Sequence, residues 1–332
     1  MPSSAEADAN YVLPDNDQEK ARLASQHFMM KKVMGRPSPI PDGVDMGNIS
    51  NVLDIAAGTC VWTLEVANLP EVKPRIHLPG AESNQKQINL YACDISTAKF
   101  PSKESTDRLG ITTFEQDVTK PFPADMLGKF DLIHMSLLVY ALTEQGWKKA
   151  LDNCRDLLKP GGILFMTESD AIFFTDEAPA PDVDASGHDF EANMSGPTWR
   201  HKANSVYTGG SLRNKFIPDL SFRLPSMLES SDFTLLSKKR GKGTFGKLCT
   251  IYKGLDGTSL DDEADLSLAN FDQVIDVLVG VYFKNGTLEA PKGVKINSAE
   301  ESRQLVEEIK QGVRQAGAYV VITDILAKKH VH

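Results

Sequence analysis

The chain has 332 residues, of which 41% are hydrophobic and 24% charged, enough for one large domain or a core domain with a smaller lobe. A net charge of −9 argues against nucleic acid as a partner, because polyanion binders carry a basic footprint, and the one basic run, Lys238 to Gly243, reads as a solvated turn. Four scattered cysteines, Cys60, Cys93, Cys154 and Cys249, fit neither a disulfide framework nor a zinc site, so reduced thiols and no metal are expected.

The opening "MPSSAEADAN" lacks the basic start and apolar stretch of a secretory signal. No apolar run approaches the ~20 residues that cross a bilayer. The expectation is a soluble cytoplasmic protein without a membrane partner, so the glycosylation triplets at Asn48, Asn193 and Asn285 are read as chance. From Pro14, "DNDQEKARLASQHFMMKKVMG" predicts a helix with Asp15 or Asp17 as N-cap and Gly35 as its stop. Leu23, His27 and Met30 share one face of it, and "RPSPIPDG" follows as a linker.

Between Asn51 and Asp170 short apolar runs alternate with helical ones. "NVLDIA", "INLYACDIS", "ITTFEQDV", "FDLIHMSLL" and "GGILFMTES" read as strands, and "CVWTLEVANL" and "EQGWKKALDNCRDLL" as helices. Such alternation implies parallel strands with right-handed crossovers, a doubly wound α/β sheet. After Asp170 an acidic, proline-bearing excursion interrupts the pattern. "FTLLSKK" is then a sixth strand, "NFDQVIDVLVGVYF" and "SAEESRQLVEEIKQGVRQAG" are helices, and "AYVVITDILAKK" is a last strand. The second of these helices has Ser298 and Glu301 at capping-box spacing. The expected organisation is an N-terminal helical lid and linker over residues 1–50, a cofactor-binding core over 51–170, and a substrate-pocket insertion with terminal strands over 171–332.

Ligands of open α/β sheets bind at the carboxyl ends of the strands. There the sequence places Asp54, then a turn holding Gly58, then Asp94 and Asp117 at the ends of the next two strands. An acid at the second strand end can accept from both ribose hydroxyls, and one at the third can reach an adenine amino group. Ala56 and Cys60 stand where a dinucleotide fold has glycine, which counts against a pyrophosphate seated on the helix end. Ala56 is tolerable if its φ is negative.

In order and spacing, "VLDIAAGT", "YACDIS", "FEQDV", "FDLIHMSLL" and "LLKPGGILFM" resemble the class I S-adenosylmethionine-dependent methyltransferases over about residues 50 to 170. "YVLPDNDQEKARLASQHFMM" and Trp62 look like the fungal LaeA-like branch, which includes small-molecule tailoring enzymes and regulators of secondary metabolism. The resemblance implies a Rossmann-like, mostly parallel seven-stranded sheet with a helical lid and inserted helices. It also implies S-adenosylmethionine as cofactor. By it, Asp54, Ala56, Gly58 and Thr59 would line the methionine moiety, Asp94 with Ile95 the ribose, Asp117 with Val118 the adenine, and Met135 with Ser136 the sulfonium. The stretch from Asp54 to Asp94 exceeds the roughly 20 residues of a compact unit, so "EVKPRIHLPGAESNQKQ" is read as an inserted surface loop.

The expected reaction is methyl transfer to a small natural-product-like acceptor, with oxygen as the favoured atom. His134 and Glu168 are candidate bases, and Tyr11 is a candidate to close over the cofactor. His27, Tyr140, Trp199 and Tyr207 are candidate acceptor contacts. Structural readings stand beside four of these: orientation of backbone or cofactor for His134, a polar residue on a packed face for His27, core packing for Tyr140 and an exposed terminal aromatic for Tyr11. The rivals are a regulator acting through protein partners, with a nuclear location, and an enzyme of the same fold catalysing a cyclisation. A homodimer is compatible with all of these.

Overall fold

The computed structural model describes residues 16–77, 85–182 and 188–331. Its centre is a seven-stranded sheet formed by β1 (Asn51–Ile55), β2 (Asn89–Asp94), β3 (Ile111–Glu115), β4 (Phe130–Ser136), β5 (Leu158–Ser169), β6 (Phe233–Phe245) and β7 (Ala318–Lys329). The strand order is β3-β2-β1-β4-β5-β7-β6, with β1 to β5 parallel and β7 antiparallel to both β5 and β6. Strand order reverses between β1 and β4, where an open α/β sheet leaves a crevice. The expected Rossmann-like architecture is present, and residues beyond 170 supply two of its strands.

The strands form where the sequence is continuously apolar because both faces are covered. Val52, Leu53, Leu132 and Ile133 are fully buried. α4 (Glu144–Leu157) lays Trp147, Ala150, Leu151, Cys154 and Leu157 against the sheet at helical spacing, and Thr143 caps it by accepting from the Gly146 N–H. α2 (Val61–Ala67) and α3 (Lys103–Arg108) complete the first crossovers. Over the carboxyl ends lies α1 (Asp17–Val33), capped by Asn16 rather than by either aspartate, the Asn16 side chain accepting from the Glu19 N–H at 2.8 Å.

Two sequence readings are corrected here. Lys238–Gly243 is no turn; it lies inside β6, which pairs with β7 from Phe233 to Phe245. The segment after Asp170 also holds helices that hydropathy does not reveal: α5 (Phe190–Met194), α6 (Trp199–Arg213) and α7 (Leu220–Ser230). α6 buries Asn204, Ser205, Thr208, Gly209, Gly210 and Ser211 beside Ala203, Val206 and Tyr207, so small and polar residues interrupt its apolar positions and no continuous apolar stripe marks it. It packs with α8 (Ala264–Lys284) and α9 (Ala299–Ala316), the latter opening with the expected Ser298–Glu301 capping box. Asp261–Lys284 is long and apolar enough to span a membrane by length and composition, which the sequence reading overlooked. In the fold Phe271, Ile275, Leu278, Val279 and Tyr282 of this stretch are buried in the cluster shared with α6 and α9.

Candidate functional site

A cavity of 440 Å³ opens at the carboxyl ends of β1, β2 and β4 and runs beneath α1 to α6 and α8. Its volume lies in the range of small-molecule sites. Its first end is the turn after β1. Ala56, Gly58 and Cys60 all have positive φ, at 55°, 54° and 57°. The expectation of a negative φ at Ala56 is therefore wrong. The backbone keeps the alternating left-handed path that three glycines would take freely, and alanine and cysteine hold two of those positions under strain. The path is fixed from outside: Ala57 N–H donates to the Cys93 carbonyl at 3.0 Å, and Gly58 N–H donates to Asp94 Oδ2 at 2.9 Å.

Asp94 thus organises the turn through one oxygen, while its Oδ1 takes the Ser96 N–H at 3.3 Å. Burial raises its pKa, with the Gly58 and Ser96 N–H groups opposing the shift. Asp117 lies just past β3, and its Oδ1 accepts both the backbone N–H and the hydroxyl of Thr119, at 2.8 and 2.7 Å. Asp94, Ile95, Asp117, Val118, Ala56, Gly58, Thr59 and Ser136 all border the cavity, so it collects the side chains assigned to methionine, ribose and adenine. The Thr59 hydroxyl is buried without a hydrogen-bond partner, and a Cβ on Gly58 would meet only Leu23 Cδ1, at 3.6 Å. An unspent donor and open space beside a turn of exposed backbone fit a polar amino-acid tail, as S-adenosylmethionine has.

Three assignments change. Met135 turns to the opposite face of β4, where its sulfur lies 3.6 Å from Cys154 Sγ in the core, and the cavity wall there belongs to Ser136 and Leu137. His134 does border the cavity, but its Nδ1 is 2.7 Å from Asp54 Oδ1 and its ring is stacked on Trp62 at 4.1 Å and tilted against Phe165. Burial lowers its pKa, and Asp54 opposes that only in part, so it is a neutral imidazole tying β4 to β1. Asp54 Oδ2 accepts from the Thr63 hydroxyl at 2.6 Å, so both its oxygens serve the fold while the residue borders the cavity. Glu168 does not line the cavity; both its oxygens receive the Leu138 N–H, at 2.9 and 3.0 Å, holding the loop after β4. Burial raises its pKa to about 8, against the pull of the Leu138 and Val139 N–H groups.

The second end of the cavity is aromatic. Tyr140, Phe173, Tyr207, Phe245 and Phe271 border it in edge-on and stacked contacts, with Phe173 and Tyr207 centroids 4.7 Å apart. Two of the expected acceptor residues, Tyr140 and Tyr207, are in this box. Trp199 is not; it packs on α9, where a Cβ at Gly312 would fall 2.2 Å from its ring. His27 faces the cavity with its Nε2 2.6 Å from Glu65 Oε2, and Lys31 reaches Glu65 Oε1 at 2.6 Å, so together they clamp α1 to α2. The supposed linker contributes Arg36, which lies on the cavity and is paired with Asp324 at 2.7 Å. Tyr11 lies outside the described residues.

The sequence reading missed the polar members of this wall: Arg22, Gln26, Asp170 and Asn270. Asp170 takes the Ser221 N–H and hydroxyl at 2.8 and 2.6 Å, and burial raises its pKa to about 7. Its place directly after the fifth strand was the one available signal. Among the described residues there is no cluster of His, Cys, Asp and Glu suited to a metal, and all four cysteines are buried.

Residues 53–164 match the family model described as a methyltransferase domain. Over 186 residues the chain is 29% identical to methyltransferase grgD of Penicillium sp., covering 55% of this chain and 60% of that protein. It is 28% identical over 203 residues to N-methyltransferase sirN of Leptosphaeria maculans, covering 61% and 64%. With methyltransferase psoC of Aspergillus fumigatus it shares 32% identity over 159 residues, covering 48% and 50%. The chain thus spans less than two thirds of the length of these relatives.

Proposed function

We propose that this chain, a member of the class I S-adenosylmethionine-dependent methyltransferases by virtue of residues 53–164, methylates a small, largely apolar acceptor seated among Tyr140, Phe173, Tyr207, Phe245 and Phe271. The observation that carries the reading is one continuous cavity. It joins the strained turn and the acids Asp94 and Asp117 to an aromatic box. S-adenosylmethionine supplies an electrophilic methyl group on a sulfonium.

The chain's own part is positional. The 56–60 turn and Thr59 would hold the amino-acid tail, Asp94 the ribose hydroxyls and Asp117 the adenine. The loop after β4, pinned by Glu168, sets the wall between donor and acceptor. In-line displacement gains most of its rate from such alignment and from exclusion of water. α1, clamped through Glu65 and the buried Arg36–Asp324 pair, is the element that excludes it.

Nitrogen is a better-supported acceptor atom than the oxygen favoured by the sequence reading. His134, Glu168 and Asp170 are each engaged by protein groups, which favours an acceptor atom that is nucleophilic without a dedicated base. N-methyltransferases also stand among the similar proteins. A small-molecule acceptor, with no nucleic acid or membrane partner, is part of the same proposal. The test is incubation of the purified chain with S-adenosylmethionine and a panel of small heterocyclic amines and phenols, read by mass spectrometry. Gain of one methylene unit on an amine, together with release of S-adenosylhomocysteine, is the expected result. Methylation confined to phenols would overturn the choice of nitrogen, and turnover without donor consumption would overturn methyl transfer.

A further inference from the structure

The aromatic box has one polar corner, and its donor is unspent. Asn270 on α8 borders the cavity, is 8% exposed, and its Nδ2 has no hydrogen-bond partner. A buried amide N–H without an acceptor is disfavoured, and such a group persists where a ligand supplies the missing partner. Its surroundings define that partner's charge. One turn along α8, Gln273 donates to Glu19 Oε2 at 3.2 Å. Glu19 in turn is paired with Arg22, whose Nε and Nη2 donate to its two oxygens at 2.8 and 2.7 Å, with both side chains buried. Arg22 Nη1 also donates to Gln26 Oε1 at 3.0 Å. Arg22 is therefore neutralised in place by Glu19. A carboxylate brought here would lose its hydration without gaining a counter-charge. A neutral carbonyl oxygen would satisfy Asn270 at no such cost.

Resting on the methyltransferase reading above, we propose that Asn270 is a specificity-determining residue that donates to a neutral carbonyl, amide or ketone, on the acceptor. Its neighbour Phe271 and the facing Tyr207, whose rings are nearly parallel at 16°, support the attached ring system. The substrate class is thus a flat, uncharged, carbonyl-bearing molecule.

Three probes of similar shape test this on the full chain saturated with S-adenosylhomocysteine: indole-3-acetamide, indole-3-acetate and 3-isobutylindole, titrated by ligand-observed NMR. The amide should bind about tenfold more tightly than the other two, the value of one well-made hydrogen bond to a buried donor. Asn270→Leu should erase that preference while leaving S-adenosylhomocysteine affinity unchanged. Asn270→Ala serves as a second variant, with the same expectation, should leucine fail to fold. Equal binding of the three probes by the wild type, preference for the acid, or an amide preference that survives in the variants would each overturn the assignment. Selective amide binding by a chain that does not bind S-adenosylhomocysteine would instead overturn the methyltransferase reading and leave the carbonyl subsite standing.

Discussion

Ala56, Gly58 and Cys60 share one backbone conformation, yet their substitutions should behave differently. A left-handed φ costs a residue with a Cβ roughly 1–2 kcal/mol, and glycine returns about half of that through its greater unfolded-state entropy. Ala56→Gly, at φ 55° on the cavity wall, should therefore stabilise the chain by about 0.5–1 kcal/mol. Cys60→Gly gains the same relief but removes a thiol that is 0% exposed and packed with Trp62 and Val66. Losing that burial costs about 1 kcal/mol, so this variant should be neutral. Gly58→Ala imposes the strain without any contact closer than Leu23 Cδ1 at 3.6 Å, and by the same balance should lose about 0.5–1 kcal/mol from the backbone alone. Its Cβ also enters the cavity, so Gly58→Val should abolish cofactor binding. Urea unfolding at fixed pH measures the three stabilities, and calorimetry with S-adenosylhomocysteine measures binding. A destabilising Ala56→Gly, or a Gly58→Val that binds normally, would refute this account of the turn.

Four further outcomes are expected. Glu168 has a pKa of about 8 against an ordinary value of 4.5, so the fold favours its protonated form; that contribution is complete below about pH 4.5 and is lost as pH rises through 8. Glu168→Gln should accordingly flatten the fall in stability between pH 6 and 9 by on the order of 2–4 kcal/mol, and an unchanged slope by urea unfolding would contradict it. His134→Ala leaves Asp54 buried with the Thr63 hydroxyl alone and should cost roughly 3–5 kcal/mol; a loss of turnover with wild-type stability would show instead that His134 is a base. Gly312→Ala drives a Cβ into the Trp199 ring and should cost about 1–3 kcal/mol, a penalty that Trp199→Leu in the same chain should relieve. Asn270→Leu removes an unsatisfied buried donor and should raise the stability of the unliganded chain by about 1 kcal/mol, so a clear loss would mean that Nδ2 has a partner within the fold.

What could be read from the sequence was whatever lies along one strand. Asp54, Asp94 and Asp117 end successive apolar runs, and that spacing alone put them at one edge of the sheet. Relations between strands were not legible. Asp54 and His134 are register partners across β1 and β4, so the aspartate holds the histidine while it also borders the cavity. The two-residue period of a strand likewise decides that Ser136 faces the cavity while Met135 joins the core. Hydropathy concealed α6 because Asn204, Ser205, Thr208 and two glycines are buried among its few apolar residues, Ala203, Val206 and Tyr207. Asn270 was hidden in another way, since α8 also carries Ser267, Asp272, Gln273 and Asp276, and nothing in its pattern singles out the polar residue that borders the cavity.

The central claim is that the acids and strained turn at the carboxyl edge hold S-adenosylmethionine. Asp94 carries most of that claim, because it fixes Gly58 and faces the cavity with the same carboxylate. Calorimetric titration of S-adenosylhomocysteine into the wild type and into Asp94→Ala tests it most directly. Saturable binding at one site in the wild type, weakened at least tenfold in the variant, is the predicted result. Absence of binding to the wild-type chain, or undiminished binding to Asp94→Ala, would contradict it.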